Sequence, residues 1–144
     1  MIELLQLYDD KQYYEFTVGE YKKEYNDLLG VDYKLLPIVC SKGLKGHLIK
    51  RKHFDTIEYI DKLDNILGDP DYIALSTTTD NSFLAIKKLD KNVTVAVKLN
   101  SKSDKYYVAT IYSVTDAYIE RKICAGQYKP LTKNDENNII CSES

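Results

Sequence analysis

The 144-residue chain contains no tryptophan, only two histidines and three cysteines, and no apolar run longer than a few residues. A bilayer-spanning helix needs roughly 20 apolar residues, so no membrane association is expected. The opening residues, Met1-Ile2-Glu3-Leu4-Leu5-Gln6-Leu7, have neither a basic n-region nor a cleavage-like site, and no signal peptide is expected. Cys40, Cys124 and Cys141 are odd in number, share no ligand spacing, and read as reduced thiols. A large net charge is also missing: 20 Lys and Arg against 22 Asp and Glu leave −2, so nucleic-acid binding has to rest on local charge. There is no CxxC, no HExxH and no acidic pair beside a histidine, so neither a metal nor a cofactor is expected. A Gly-rich phosphate loop and a nucleophile elbow are absent too. Asn92-Val93-Thr94 matches a glycosylation sequon but reads as a turn without a secretory route. These absences leave a soluble domain expected in the cytoplasm.

The charge that is present is segregated. Residues 1–32 hold eight acidic residues and three lysines, whereas residues 42–53 hold Lys42, Lys45, Lys50, Arg51 and Lys52 with no acid. Residues 87–105 and 121–133 each carry a surplus of +4, and residues 134–144 return to −3 and read as a loosely ordered tail. If the three basic segments converge they form a phosphate-sized patch; if they do not, they are ordinary solvated faces.

Local patterning predicts an α+β fold. Leu4–Tyr8 and Tyr13–Phe16, split by Asp9-Asp10-Lys11, read as an N-terminal hairpin. Thr17-Val18-Gly19-Glu20 has capping-box spacing, and Gly30 is a natural stop, predicting a helix over residues 18–29. Further helices are predicted over residues 42–51, capped by Ser41, and over residues 56–67, capped by Asp55 and ended by Pro70. The runs Tyr72–Ser76, Phe83–Leu89, Val93–Leu99 and Tyr106–Ser113 then alternate between short turn segments, predicting a four-stranded antiparallel meander. Thr115 caps a short closing helix over residues 116–124, with Gly126 beyond it. The helices are expected on one sheet face. A single domain over residues 1–133 is expected, its first 35 residues being the hairpin and helix.

Few residues are suited to chemistry. His47 and His53 both lie in the most basic segment, and His47 shares a helix face with Lys50 and Arg51. Neighbouring cations depress a histidine pKa and favour the neutral form that accepts a proton near pH 7. A lone helix histidine is equally compatible with a surface or partly buried position, and His53 with a cap on the helix dipole. Thr110 and Tyr112, two apart on one strand, point to the same sheet face and can donate to a phosphate; β-propensity alone also favours Thr and Tyr there. Thr115 and Arg121 follow at a strand-to-helix junction where main-chain N–H groups favour an anion. The 13 tyrosines can stack on bases, although most occupy core-like periodic positions.

The run from Ile38 through Ser41-Lys42-Gly43-Leu44-Lys45-Gly46-His47 to His53 resembles the opening of phage and prophage PBECR domains, of the barnase–EndoU–colicin–RelE-like nuclease group. The resemblance continues at Tyr59-Ile60-Asp61, Ile66–Ile73, Asp90–Leu99 and Tyr106–Thr115, and covers residues 36–128 as a nuclease-like core. It implies a BECR-like fold and metal-independent endoribonuclease activity of toxin or effector type on tRNA or other RNA, in a bacterial host cell. Carried over by position, it implies His47 as general base or acid and His53 as the second proton-transfer group. It further implies that Thr110 and Tyr112 hold the scissile phosphate and that Arg51, Lys98 and Arg121 stabilise charge, with Lys50, Thr115 and Lys122 expected to join them in binding RNA. A cognate immunity or antitoxin protein is an expected partner. The chain departs from the family pattern at Leu84, where an acidic residue is common, and at Lys122 and Gln127, where arginine is usual. Two other readings remain open: an inactive nuclease-like binding module with an anti-defence or regulatory role, and a virion or prophage structural component.

Overall fold

Val93-Thr94-Val95-Ala96-Val97 shows why the second half of the chain is a sheet: valine's branched Cβ suits the pleat, and successive side chains leave on opposite faces. All five are buried, so both faces of this strand are covered. The computed structural model describes residues 15–41, 59–60, 62–99 and 104–131. In order, the elements are β1 (Glu15–Glu20), α1 (Lys23–Leu29), β2 (Pro37–Ser41), α2 (Leu63–Gly68) and β3 (Tyr72–Leu75). They continue with β4 (Ser82–Lys88), β5 (Asn92–Lys98), β6 (Tyr106–Val114), α3 (Asp116–Cys124) and β7 (Tyr128–Pro130).

The fold is α+β, with a larger sheet than the four antiparallel strands expected. Seven strands run in the order β1-β2-β6-β5-β4-β3-β7, mixed because β2 pairs with β6 in parallel. The expected meander is its centre, β3 to β6, with ends within a residue or two of the predicted ones. The flanking strands escaped local patterning because each depends on a distant partner: Thr17 on Val39, Ile38 on Tyr106, and Tyr128 on Ala74.

The expected hairpin falls largely on residues 1–14, outside the described residues, and Phe16 pairs instead with Cys40 across β1 and β2. The expected helix over 18–29 is shortened to α1, since residues up to Glu20 belong to β1. Sheet pairing outcompetes the capping box there: Val18 and Tyr21 enter the core, and the Lys22 side chain makes no capping bond. Gly30 does end α1, at φ 69°. A Cβ on Gly19 would stand 3.0 Å from Leu67 Cβ, so this glycine lets β1 lie against α2. The helix expected over 42–51 lies outside the described residues. Of the one expected over 56–67, residues 56–58 and 61 lie outside the described residues; a turn at Tyr59–Ile60 and α2 are seen, and Ile60, Leu63, Ile66 and Leu67 form the buried stripe. The closing helix matches α3 residue for residue, with the Thr115 hydroxyl accepting from Tyr118 N at 3.1 Å.

Contrary to expectation, the helices do not all lie on one sheet face. α1 and α2 cover one side, where Tyr21, Tyr25, Leu63, Ile66, Phe83, Val95 and Ile111 belong to one core. α3 covers the other, where Ile119 packs with Tyr72, Ala74, Leu84, Ile86, Ala96 and Tyr128. A β-strand buried on both sides needs apolar contacts on both, and alternation alone cannot assign a later helix to either side. Cysteine chemistry also departs from expectation: Cys40 is a buried thiol, but Cys124 is disulfide-bonded. Among the described residues no helix is long and apolar enough to cross a membrane.

Candidate active site on the second sheet face

Cross-strand register arranges the face under α3 into rows. One row runs Tyr128, Ala74, Leu84, Ala96, Thr110; the next runs Pro130, Tyr72, Ile86, Thr94, Tyr112. Thr110 and Tyr112 therefore share a face, and a bulge decides which. Val108 pairs with Val97 and Thr110 with Ala96, so β6 carries one extra residue, Ala109. Tyr106, Val108 and Ile111 consequently enter the first core, while Thr110, Tyr112 and Val114 turn to the α3 side.

The β6–α3 corner is fixed by Asn92, whose Nδ2 donates to Val114 O at 3.1 Å and to Asp116 Oδ1 at 2.7 Å. α3 then packs back towards β7. Thr94 and Tyr128 are buried beneath it, whereas Thr110 and Tyr112 remain half-open. Among the described residues the hydroxyls of Thr94, Thr110 and Tyr128 make no well-formed hydrogen bond, although the Tyr118 phenol lies near that of Tyr128. An unsatisfied buried hydroxyl costs on the order of 1–3 kcal/mol, so three on one face make a polar site that stability alone does not explain.

Electrostatics defines what these groups do. Burial, with Tyr118 adding, pushes the Tyr112 phenol up to about 12. Burial raises Tyr128 further, with Tyr112 and Tyr118 contributing. Both phenols are therefore protonated donors at neutral pH and not general bases. Above them, the Arg121 guanidinium lies 5.6 Å and Lys122 Nζ 5.3 Å from the Tyr118 ring centroid. Two cations on one aromatic ring beside a row of hydroxyl donors suit an anionic, oxygen-rich group such as a phosphodiester.

The other sequence-derived candidates fall in several places. Lys98 lies on the same face one step beyond Ala96, exposed, its Nζ donating to Asp80 O at 3.3 Å. The Thr115 hydroxyl is engaged as the α3 cap, and the first turn of that helix already carries the Asp116 carboxylate. His47, Lys50, Arg51 and His53 lie outside the described residues. Among the described residues no three His, Cys, Asp or Glu side chains group as metal ligands. Sequence reasoning missed Thr94, Tyr118 and Tyr128. The contrast within β5 between Val93, Val95, Val97 and Asn92, Thr94, Lys98 was an available signal for a second, more polar face. Tyr128 had none, because it reaches the site through long-range pairing with β3.

Residues 15–121 match the family model of the phage-Barnase-EndoU-ColicinE5/D-RelE like nuclease3, PBECR3. The chain belongs to this family. Its membership makes it a nuclease-like domain and extends the kinship to β1 and α1, ahead of the segment whose resemblance was legible in the sequence. The matched residues include Thr110, Tyr112, Thr115 and Arg121, while Lys122, Gln127 and Tyr128 lie beyond them. Leu84, one of the positions expected to depart from the family pattern, occupies the Thr110 row and is buried. No curated protein and no solved structure matches the chain.

Proposed function

We propose that the chain is a metal-independent endoribonuclease of toxin or effector type, acting on tRNA or other structured RNA in the bacterial cytoplasm. The observation that carries this reading is the row of phosphate-competent donors, Thr110 and Tyr112 on one face with Arg121 and Lys122 alongside, in a chain of a nuclease family. RNA supplies its own nucleophile. His47 removes the proton from a ribose 2′-hydroxyl, the 2′-oxygen bonds to phosphorus, and the bond to the 5′-oxygen breaks. His53 returns a proton to that leaving oxygen, and a 2′,3′-cyclic phosphate remains. Thr110 and Tyr112 donate to the non-bridging oxygens, where charge accumulates as the phosphorane forms, and Arg51, Lys98 and Arg121 balance that charge. A cognate immunity protein covering the same face is the partner this activity calls for.

The test is incubation with total tRNA in EDTA. Wild-type chain is expected to give discrete cuts ending in cyclic phosphate. His47→Ala abolishes them, and Tyr112→Phe slows them on the order of 100-fold, the loss typical of one transition-state donor. Cleavage that EDTA suppresses, or that both variants retain in full, overturns the mechanism. RNA binding without any cleavage favours the binding-module reading, to which the buried Leu84 at the family's acidic position lends support.

A further inference from the structure

Cys124, the last residue of α3, is exposed and disulfide-bonded, whereas Cys40 is a buried free thiol. The chain has three cysteines, which leaves Cys141 as the partner of Cys124 within it. We propose that this disulfide anchors the acidic segment 134–144 on the cationic surface of α3, and that reduction frees that surface for an anionic ligand. The consequence for RNA rests on the endoribonuclease reading; the docking itself does not.

Tyr118, Arg121 and Cys124 are three apart on α3, so they line one stripe of the helix. Arg121 stands about 4.5 Å along the helix axis from Cys124. Arg121 and Lys122 lie over the Tyr118 ring and enter no ion pair among the described residues. The acids of α3 leave that charge in place. Asp116 accepts from Asn92 at the opposite end of the helix, and Glu120 pairs with neither cation among the described residues. The stripe therefore runs from two uncommitted cations to a sulfur bonded to another part of the chain.

That part carries the opposite charge. Residues 134–144 hold Asp135, Glu136 and Glu143 with no Lys or Arg. Glu143 is two residues from Cys141, a span of about 7 Å, and Asp135 is six, a span of about 20 Å. A disulfide holds its two Cα atoms within about 7 Å, so these carboxylates come within reach of Arg121 and Lys122. Leu131, whose N–H donates to Asp71 O at 3.1 Å, fixes the other end of the segment beside β3. The ten residues from there to Cys141 span up to about 35 Å, enough to return to the end of α3. Tethering raises the local carboxylate concentration to about the millimolar range, at which weak surface ion pairs compete with a ligand.

The cysteines differ in the way a switch requires. Cys40 is fully buried, and burial pushes its thiol up to about 12, so it does not exchange near neutral pH. Cys124 is open to a small thiol. A thiolate of that reductant attacks one sulfur to give a mixed disulfide, and a second thiol resolves it. Cys124 and Cys141 together gain two electrons and two protons, and the reductant leaves as its own disulfide. In a reducing compartment such an exposed bond is transient, which makes it a sensor and not a staple.

Peptide mapping of the oxidised full chain is expected to show the Cys124–Cys141 link in a monomer; disulfide-linked dimers, or a chain that never forms the link, overturn the proposal. The variant Asp135→Asn/Glu136→Gln/Glu143→Gln keeps both cysteines and removes the tail charge. In the oxidised chain these changes are expected to shift the Arg121 and Lys122 side-chain resonances, and after dithiothreitol to leave them unmoved. Binding of fluorescently labelled tRNA is expected to tighten about tenfold when wild-type chain is reduced, and not to change when the variant is reduced. Cys141→Ser should match reduced wild type under both conditions. Arg121 and Lys122 resonances that ignore the tail charge in the oxidised chain overturn the docking, as does measurable RNA affinity that is equal in the two redox states. Resonance shifts without RNA cleavage in either state support the docking and overturn the nuclease reading alone.

Discussion

The two faces of the sheet are built from similar side chains and satisfy them differently. On the α1–α2 side the tyrosines form an aromatic cluster: Tyr21 meets Tyr25, Tyr33, Phe83 and Tyr106 edge-on at 5.2–6.2 Å, and Tyr25 stacks on Phe83. Its buried phenols all have partners. Tyr21 donates to Asn26 Oδ1, Tyr25 to Leu67 O, Tyr59 to Asp90 and Tyr106 to Lys34 O. On the α3 side, among the described residues, Thr94, Thr110 and Tyr128 have none that is well formed. The first face is a closed core in which each hydroxyl stabilises the fold. The second leaves buried hydroxyls unsatisfied at a net cost to stability.

Alkaline titration probes this contrast with the largest effect. Tyr21, Tyr25 and Tyr128 are pushed above their ordinary range by burial, and Tyr112 and the Cys40 thiol to about 12. In the unfolded chain such groups ionise near pH 10 for a phenol and about 8.5 for a thiol. Their contribution is complete below those values and is lost as pH rises towards the folded ones, because only the unfolded chain then releases protons. Cooperative unfolding below about pH 12, read by tyrosinate absorbance alongside circular dichroism, is expected. Early ionisation of Tyr112 before unfolding would show the α3 side to be more open than the other.

Next in size is Phe83→Ala, which removes the ring on which Tyr25 stacks; it should cost about 3–5 kcal/mol in urea unfolding. Tyr25→Phe strands the Leu67 carbonyl and should cost about 1–2 kcal/mol by the same measurement. The smallest expected effects lie on the α3 side. Thr94→Val and Tyr128→Phe remove unpartnered hydroxyls and should leave stability within about 1 kcal/mol of wild type, or raise it. A loss matching that of Tyr25→Phe would mean these hydroxyls are structural, and the contrast between the faces would collapse.

Where an element depends on its neighbours in the chain, its position was legible. The strands from Tyr72 to Val114 follow from alternation and turn residues, and α3 from Thr115 and the stop at Gly126. That Thr110 and Tyr112 share a face follows from their spacing of two. Local order could not reveal the Ala109 bulge, because a bulge is a mismatch between two strands and is invisible in either alone. Nor could it distinguish a capping box at Thr17–Glu20 from a strand whose partner lies some twenty residues ahead.

The amino-acid sequence by itself determined the class of the domain, its central meander, its closing helix and its kinship with phage nucleases, because periodicity, caps and motifs are read over a few residues. The tertiary structure alone decided that the sheet has seven strands, that α3 crosses to the face opposite α1 and α2, and that Thr94, Tyr118 and Tyr128 join Thr110 and Tyr112. Those outcomes depend on pairing between residues far apart in the chain, where burial of both sheet faces outweighs any local preference.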